Sequence, residues 1–153
     1  MTLSDLLLPD SVFVALRAAS REDAVALLVD ALGLPDDKAR AEFRSAVLNR
    51  EAAGSTGIGN GVAIPHARST KIAVPRLAAA RMLKPIDFKS ADATPVALVF
   101  LLAVPAEDPR SHLAVLAALS RMALDKKLLR RLNKAASAEE FRAILAELPI
   151  QGG

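Results

Sequence analysis

Only two histidines occur in the 153 residues, His66 and His112. An unperturbed imidazole titrates at about 6.5, so at pH 7 it is mostly neutral and keeps one free nitrogen lone pair. His66 follows a short apolar run, Val62-Ala63-Ile64, and a proline. A side chain there, at the edge of a sheet, is a candidate nucleophile, base or metal ligand. Just upstream, residues 54–61 place four glycines in eight positions, a stretch whose backbone approaches a neighbour closely. Its N–H groups, with the hydroxyls of Ser55 and Thr56, form a candidate cradle for an anion around Gly57, Gly59, Asn60 and Gly61. The bland alternative for His66 is a residue that merely ends a strand in a turn. His112 forms an i, i+3, i+4, i+7 stripe with Val115, Leu116 and Leu119, which on pattern alone favours a satisfied core histidine. A helix N-terminus also disfavours a proton on that ring.

Several chemistries fall away. There is no cysteine, hence no disulfide, thiolate zinc site or cysteine nucleophile. Two histidines with no carboxylate between Glu51 and His66 make a poor metal site, so no metal and no cofactor are expected. Gly57-x-Gly59-x-Gly61 is not a dinucleotide fingerprint, and Gly-Lys-Ser/Thr is absent. A net charge of +3, with neither Trp nor Tyr, argues against nucleic acid. The cluster Arg121, Lys126, Lys127, Arg130, Arg131 and Lys134 reads as a solvated helix face, with a docking patch for an acidic partner as the alternative. The longest strongly apolar run, Val96 to Val104, is half the length of a membrane span, and Met1 to Pro9 has no basic signal-peptide start, so membrane insertion is not expected.

The elements that must position these residues follow from periodicity. Strands are expected over 11–17, 62–64, 77–83 and 96–104, the last apolar throughout and so buried on both faces. Ser20 predicts a cap for a helix that stops near Gly33. Pro35 is expected at the first position of a second helix ending near Glu51. Further helices are expected over 109–124, 125–134 and 137–147, with Ser137 and Glu140 as a capping box. The order implies one α/β domain over 1–153, a three-layer α/β/α sandwich around a central mixed β-sheet.

The stretch Asn49 to His66, NREAAGSTGIGNGVAIPH, resembles the enzyme IIA domain of the fructose/mannitol type in the bacterial phosphoenolpyruvate-dependent phosphotransferase system. Leu101 to Pro105 and Ser111-His112-Leu113 match that family's second landmark, and the resemblance runs over nearly the whole chain. Within the family it is most similar to the nitrogen-regulatory branch. The resemblance implies that His66 accepts a phosphoryl group from a phosphohistidine on an HPr-like carrier. It implies that His112 is the second active-site histidine and that Arg50 assists phosphoryl binding. The fold carried over is the same α/β/α sandwich, in the cytoplasm. Phosphoryl transfer through a loose state fits these roles, since it needs positioning and fixed dipoles rather than covalent chemistry by the protein. A guanidinium fork suits phosphate oxygens. His66 is followed by Ala67-Arg68 where glycine is common in the family.

Two functions follow from the resemblance. One is a regulatory phosphoryl carrier whose targets are potassium transporters, sensor kinases and similar proteins. The other is a sugar-specific IIA component that passes the group to a fructose- or mannitol-type IIB permease domain. The end at Gly153 with no fused IIB or HPr-like stretch favours the first. A pure binding module, like the cytoplasmic domain of anion exchangers, is a third class, against which the Ile-Pro-His context counts.

Overall fold

Residues 1–151 are described by the computed structural model; the last two positions of the expected domain, Gly153 included, lie outside the described residues. Five α-helices and a six-stranded mixed sheet are found among them. In chain order these are β1 (Leu7–Leu16), α1 (Arg21–Val29), α2 (Asp37–Ala53), β2 (Gly57–Gly59), β3 (Val62–Ala63), β4 (His66–Ser69), β5 (Arg76–Ile86), β6 (Val96–Pro105), α3 (Pro109–Leu124), α4 (Lys126–Lys134) and α5 (Ala138–Leu145).

The sheet runs β1-β5-β6-β3-β2, with β4 also on β6. β1 is parallel to β5, β5 antiparallel to β6, and both β3 and β4 parallel to β6. Strand β6 carries apolar side chains on both faces, as its sequence predicts. Leu98, Phe100, Leu102 and Val104 pack with Leu119, Met122, Leu132 and Phe141 from α3, α4 and α5. Val99, Leu101 and Ala103 pack with Val25, Leu28, Phe43 and Val47 from α1 and α2. Helices therefore cover the sheet on both sides, and the expected three layers are present. Phe100 and Phe141 stack across one interface with centroids 6.3 Å apart; truncating either costs about 3–5 kcal/mol.

Several boundaries differ from the sequence expectation, each for a local reason. β1 begins at Leu7, because an irregularity between Leu7 and Val12 absorbs Pro9. Pro35 is not inside α2: Asp36 caps that helix, its carboxylate accepting from the Ala39 N–H at 2.8 Å. Ser20 and Ser137 cap their helices as expected, accepting from Asp23 and Glu140 N–H groups at 3.1 Å. The Glu140 carboxylate, however, takes the Ala136 N–H at 2.6 Å, one residue earlier than a capping box requires.

Two differences bear on the site. The glycine-rich stretch is not simply a loop, since Asn60 (φ 58°) and Gly61 (φ 77°) form the tight turn of a β2–β3 hairpin. Positive φ at both central residues is the signature of an Asn-Gly hairpin turn. His66 does not end a strand. β3 pairs Val62 with Leu98 and β4 pairs His66 with Leu102, the same offset, so the two are one line interrupted at Ile64-Pro65. Proline donates no hydrogen bond, yet its carbonyl accepts from the Leu102 N–H at 3.0 Å, and the strand resumes.

Candidate active site

The last turn of α2 supplies Arg50 and Glu51. Glu51 is buried, and its carboxylate accepts from the Thr56 N–H at 3.2 Å and from the Thr56 hydroxyl. Arg21 stands 3.8 Å from the same carboxylate. A buried carboxylate requires such partners, and here they fasten the chain after α2 to the body of the domain. Arg50 is exposed, and its Nη1 donates to the Gly54 carbonyl at 2.7 Å. That contact closes the helix end and holds the guanidinium beside the sheet edge.

The hairpin is fastened elsewhere. The Ser55 hydroxyl donates to the Phe88 carbonyl and accepts from the Gly57 N–H at 2.9 Å. A Cβ on Gly57 would lie 2.0 Å from Ser90 Oγ, so glycine there answers a close approach of two chain segments. The Asn60 N–H donates to Asp92 at 3.1 Å, and its amide donates to the Ala123 carbonyl at 2.9 Å.

His66 opens β4, half-buried. Its Nδ1 lies 2.8 Å from the Ile64 carbonyl oxygen. A carbonyl only accepts, so Nδ1 carries the proton, and in the neutral ring the lone pair is on Nε2. His112, in the first turns of α3, brings its ring centroid to 5.6 Å from that of His66, at 40° between planes. It lies on the apolar stripe of α3, yet it is not a satisfied core histidine, because its Nε2 is buried without a hydrogen-bond partner. Burial pushes the His112 pKa below the usual imidazole value, with smaller effects in the same direction from His66 and from the positive charge of Arg68.

These side chains line one cleft of about 390 Å³, formed by Ala46, Arg50, His66, Ala67, Arg68, Val104 and His112. Three elements far apart in sequence thus bring Arg50, His66 and His112 together. The six loop residues fare differently: Ser55, Thr56, Gly57, Gly59, Asn60 and Gly61 do not line this cleft. The side chains of Ser55, Thr56 and Asn60 hold this stretch in place. Arg68, not singled out as a site residue from the sequence, does line it. The available signal was its place two residues after His66, on the same face of a strand. Among the described residues there is no cluster of three or more His, Asp or Glu able to hold a metal. Nor is any helix among them long and apolar enough to cross a membrane.

Residues 5–148 match the family described as "Phosphoenolpyruvate-dependent sugar phosphotransferase system, EIIA 2". The chain belongs to this EIIA family. The nitrogen regulatory protein of Bradyrhizobium diazoefficiens is 36% identical over 150 residues, 97% of each chain. The fructose-specific EIIA component of Haloferax volcanii is 36% identical over 134 residues, 85% of each. Among solved structures, the nitrogen regulatory protein IIA-Ntr of Neisseria meningitidis superposes with a TM-score of 0.85 at 31% identity, covering 93% of this chain and 97% of that one. The mannitol IIA of Escherichia coli, solved in complex with phosphorylated IIB, shares the fold at a TM-score of 0.75 and 21% identity, covering 92% and 97%. EIIA components are the phosphoryl carriers of the phosphotransferase system, and a carrier role fits a cleft built around two imidazoles and two guanidinium groups.

Proposed function

We propose that this EIIA protein accepts a phosphoryl group on His66 Nε2 from the phosphohistidine of an HPr-like carrier in the cytoplasm. We further propose that its phosphorylation state regulates partner proteins, with potassium transporters and sensor kinases as the candidate targets. The observation that carries the reading is the 2.8 Å contact of His66 Nδ1 with the Ile64 carbonyl, which leaves Nε2 as the nucleophilic nitrogen. In the step, the Nε2 lone pair forms a bond to phosphorus while the P–N bond of the donor histidine breaks. Its electron pair returns to the donor ring, and the proton stays on His66 Nδ1, donated to the Ile64 carbonyl. A P–N bond replaces a P–N bond, so the exchange is nearly isoenergetic and reversible.

Arg50 and His112 take the roles of charge and hydrogen-bond donor to the equatorial oxygens, where negative charge is spread in a loose transition state. The regulatory assignment draws support from the near-complete alignment with the Bradyrhizobium nitrogen regulatory protein. The equal identity to the Haloferax fructose-specific component supports the second reading, transfer onward to a fructose- or mannitol-type IIB domain. The test is incubation with phosphoenolpyruvate, enzyme I and an HPr-type carrier, followed by mass spectrometry and NMR of the labelled ring. One acid-labile phosphate on His66 Nε2, absent from His66→Ala, is expected; a phosphate kept by His66→Ala overturns the assignment. Addition of a IIB domain then separates the two readings by loss of the label.

A further inference from the structure

Arginines elsewhere in this sheet have visible structural work. Arg76 donates to the Leu32 and Gly33 carbonyls at 2.9 Å, and Arg81 to those of Val14 and Leu132 at 2.9 Å. Arg68 differs: among the described residues it makes no ion pair and no side-chain hydrogen bond. It is exposed, and it lines the same cleft as His66 and His112. On β4, His66 sits beside Leu102 and Arg68 beside Val104, two residues of the sheet face that α3 covers. Strand alternation therefore sends both side chains toward that face.

We propose that Arg68 is a second phosphoryl-binding cation of the site, acting with Arg50 on the equatorial oxygens. This rests on the phosphoryl-carrier reading above. Arg50 has one guanidinium nitrogen engaged by the Gly54 carbonyl, which limits the donors it offers. A phosphoryl group presents three oxygens and close to two negative charges, more than one partly engaged fork satisfies. Arg68 brings five N–H donors with no internal partner to give up. Its charge already reaches across the cleft, since it contributes to keeping His112 unprotonated. A neutral His112 and a charged Arg68 then divide the work, the first giving a directed hydrogen bond and the second the charge.

Phosphoramidate tests this without a protein donor, because its P–N bond breaks as His66 Nε2 bonds to phosphorus and ammonia leaves. An exposed side chain should contribute less than the 10²–10³ of a preorganised, buried donor, so Arg68→Ala is expected to slow labelling of His66 about tenfold. Arg68→Lys, which keeps the charge but loses the fork, should fall between. In parallel, the His112 ring is titrated by NMR, with His66, Arg50 and Arg68 as the charges lining its cleft. Arg68→Ala should raise its midpoint and Arg68→Lys should leave it near the parent. Labelling within about twofold of the parent in Arg68→Ala, or an unmoved His112 midpoint, overturns the role of Arg68. If the parent protein itself is not labelled on His66, the carrier reading fails, and this inference fails with it.

Discussion

Replacing His112 discriminates most sharply between a side chain that packs and one that acts. Its Nε2 is buried and unpartnered in the free protein. An unsatisfied buried polar nitrogen costs about 1–3 kcal/mol, so removing the ring removes that penalty together with some packing. The two effects oppose, and His112→Ala should change unfolding free energy by no more than about 1 kcal/mol. Transfer should respond very differently. A donor aimed at a developing oxyanion is worth about 10²–10³ in rate, or about 2.7–4 kcal/mol. We expect His112→Ala to lower single-turnover phosphorylation about a hundredfold. His112→Gln, which keeps an amide donor, should remain partly active. The assay pairs rapid-quench phosphorylation from an HPr-type donor with urea denaturation of the same samples. Full transfer in His112→Ala, or a loss that merely tracks the unfolded fraction, would refute the reasoning and return His112 to the core.

Arg50→Ala should cost about 0.5–1.5 kcal/mol through the lost Gly54 contact, and slow transfer by about 10²–10³; an unchanged rate would reduce Arg50 to a helix-closing residue. Glu51→Ala should destabilise by about 3 kcal/mol, the low end for a broken buried pair because Arg21 keeps Glu22 at 3.0 Å. A change below about 1 kcal/mol in denaturation would show that Glu51 does not fasten the chain after α2. His112 also sets a pH dependence. Its folded pKa lies below the value in the unfolded chain, so its contribution is fully present above about 6.5. Below that the unfolded chain takes up the proton first, and stability falls until the folded ring titrates too. Denaturation midpoints between pH 7 and 5 should therefore fall less steeply in His112→Gln than in the parent.

Much of this was legible in the residues. The continuous apolar run of β6 announced a strand covered on both faces, and Ser20 and Ser137 marked helix starts that the structure keeps. The approach of His66 to His112 was readable only through the family motif, because nothing local to either residue encodes a contact across 46 positions. Pattern alone placed His112 correctly on the inward stripe of α3 but filled in a partner that Nε2 does not have. The glycine-rich stretch has a structural role that its composition did not spell out. Asn-Gly with positive φ at both residues makes a hairpin turn, and Gly57 answers crowding by Ser90, so these glycines serve chain geometry. Arg68 was in plain view at i+2 from His66, but its value depended on β4 existing, and Pro65 had signalled the end of a strand.

The interrupted strand has a consequence for how the reactive group comes into being. His66 acquires its neighbours only when β4 has found its register beside Leu102, a residue 36 positions later, and when α3 has closed over that face. Parallel pairings of such sequence separation form late and slowly, because the loop must be closed before any contact rewards it. A nascent or partly collapsed chain holds the imidazole with Ile64 and Arg68 close in sequence, but not Arg50 of α2 or His112 of α3 beside it. On the proposed reading, phosphorylation of His66 therefore reports completed folding, and misfolded copies in a mixed population stay unlabelled.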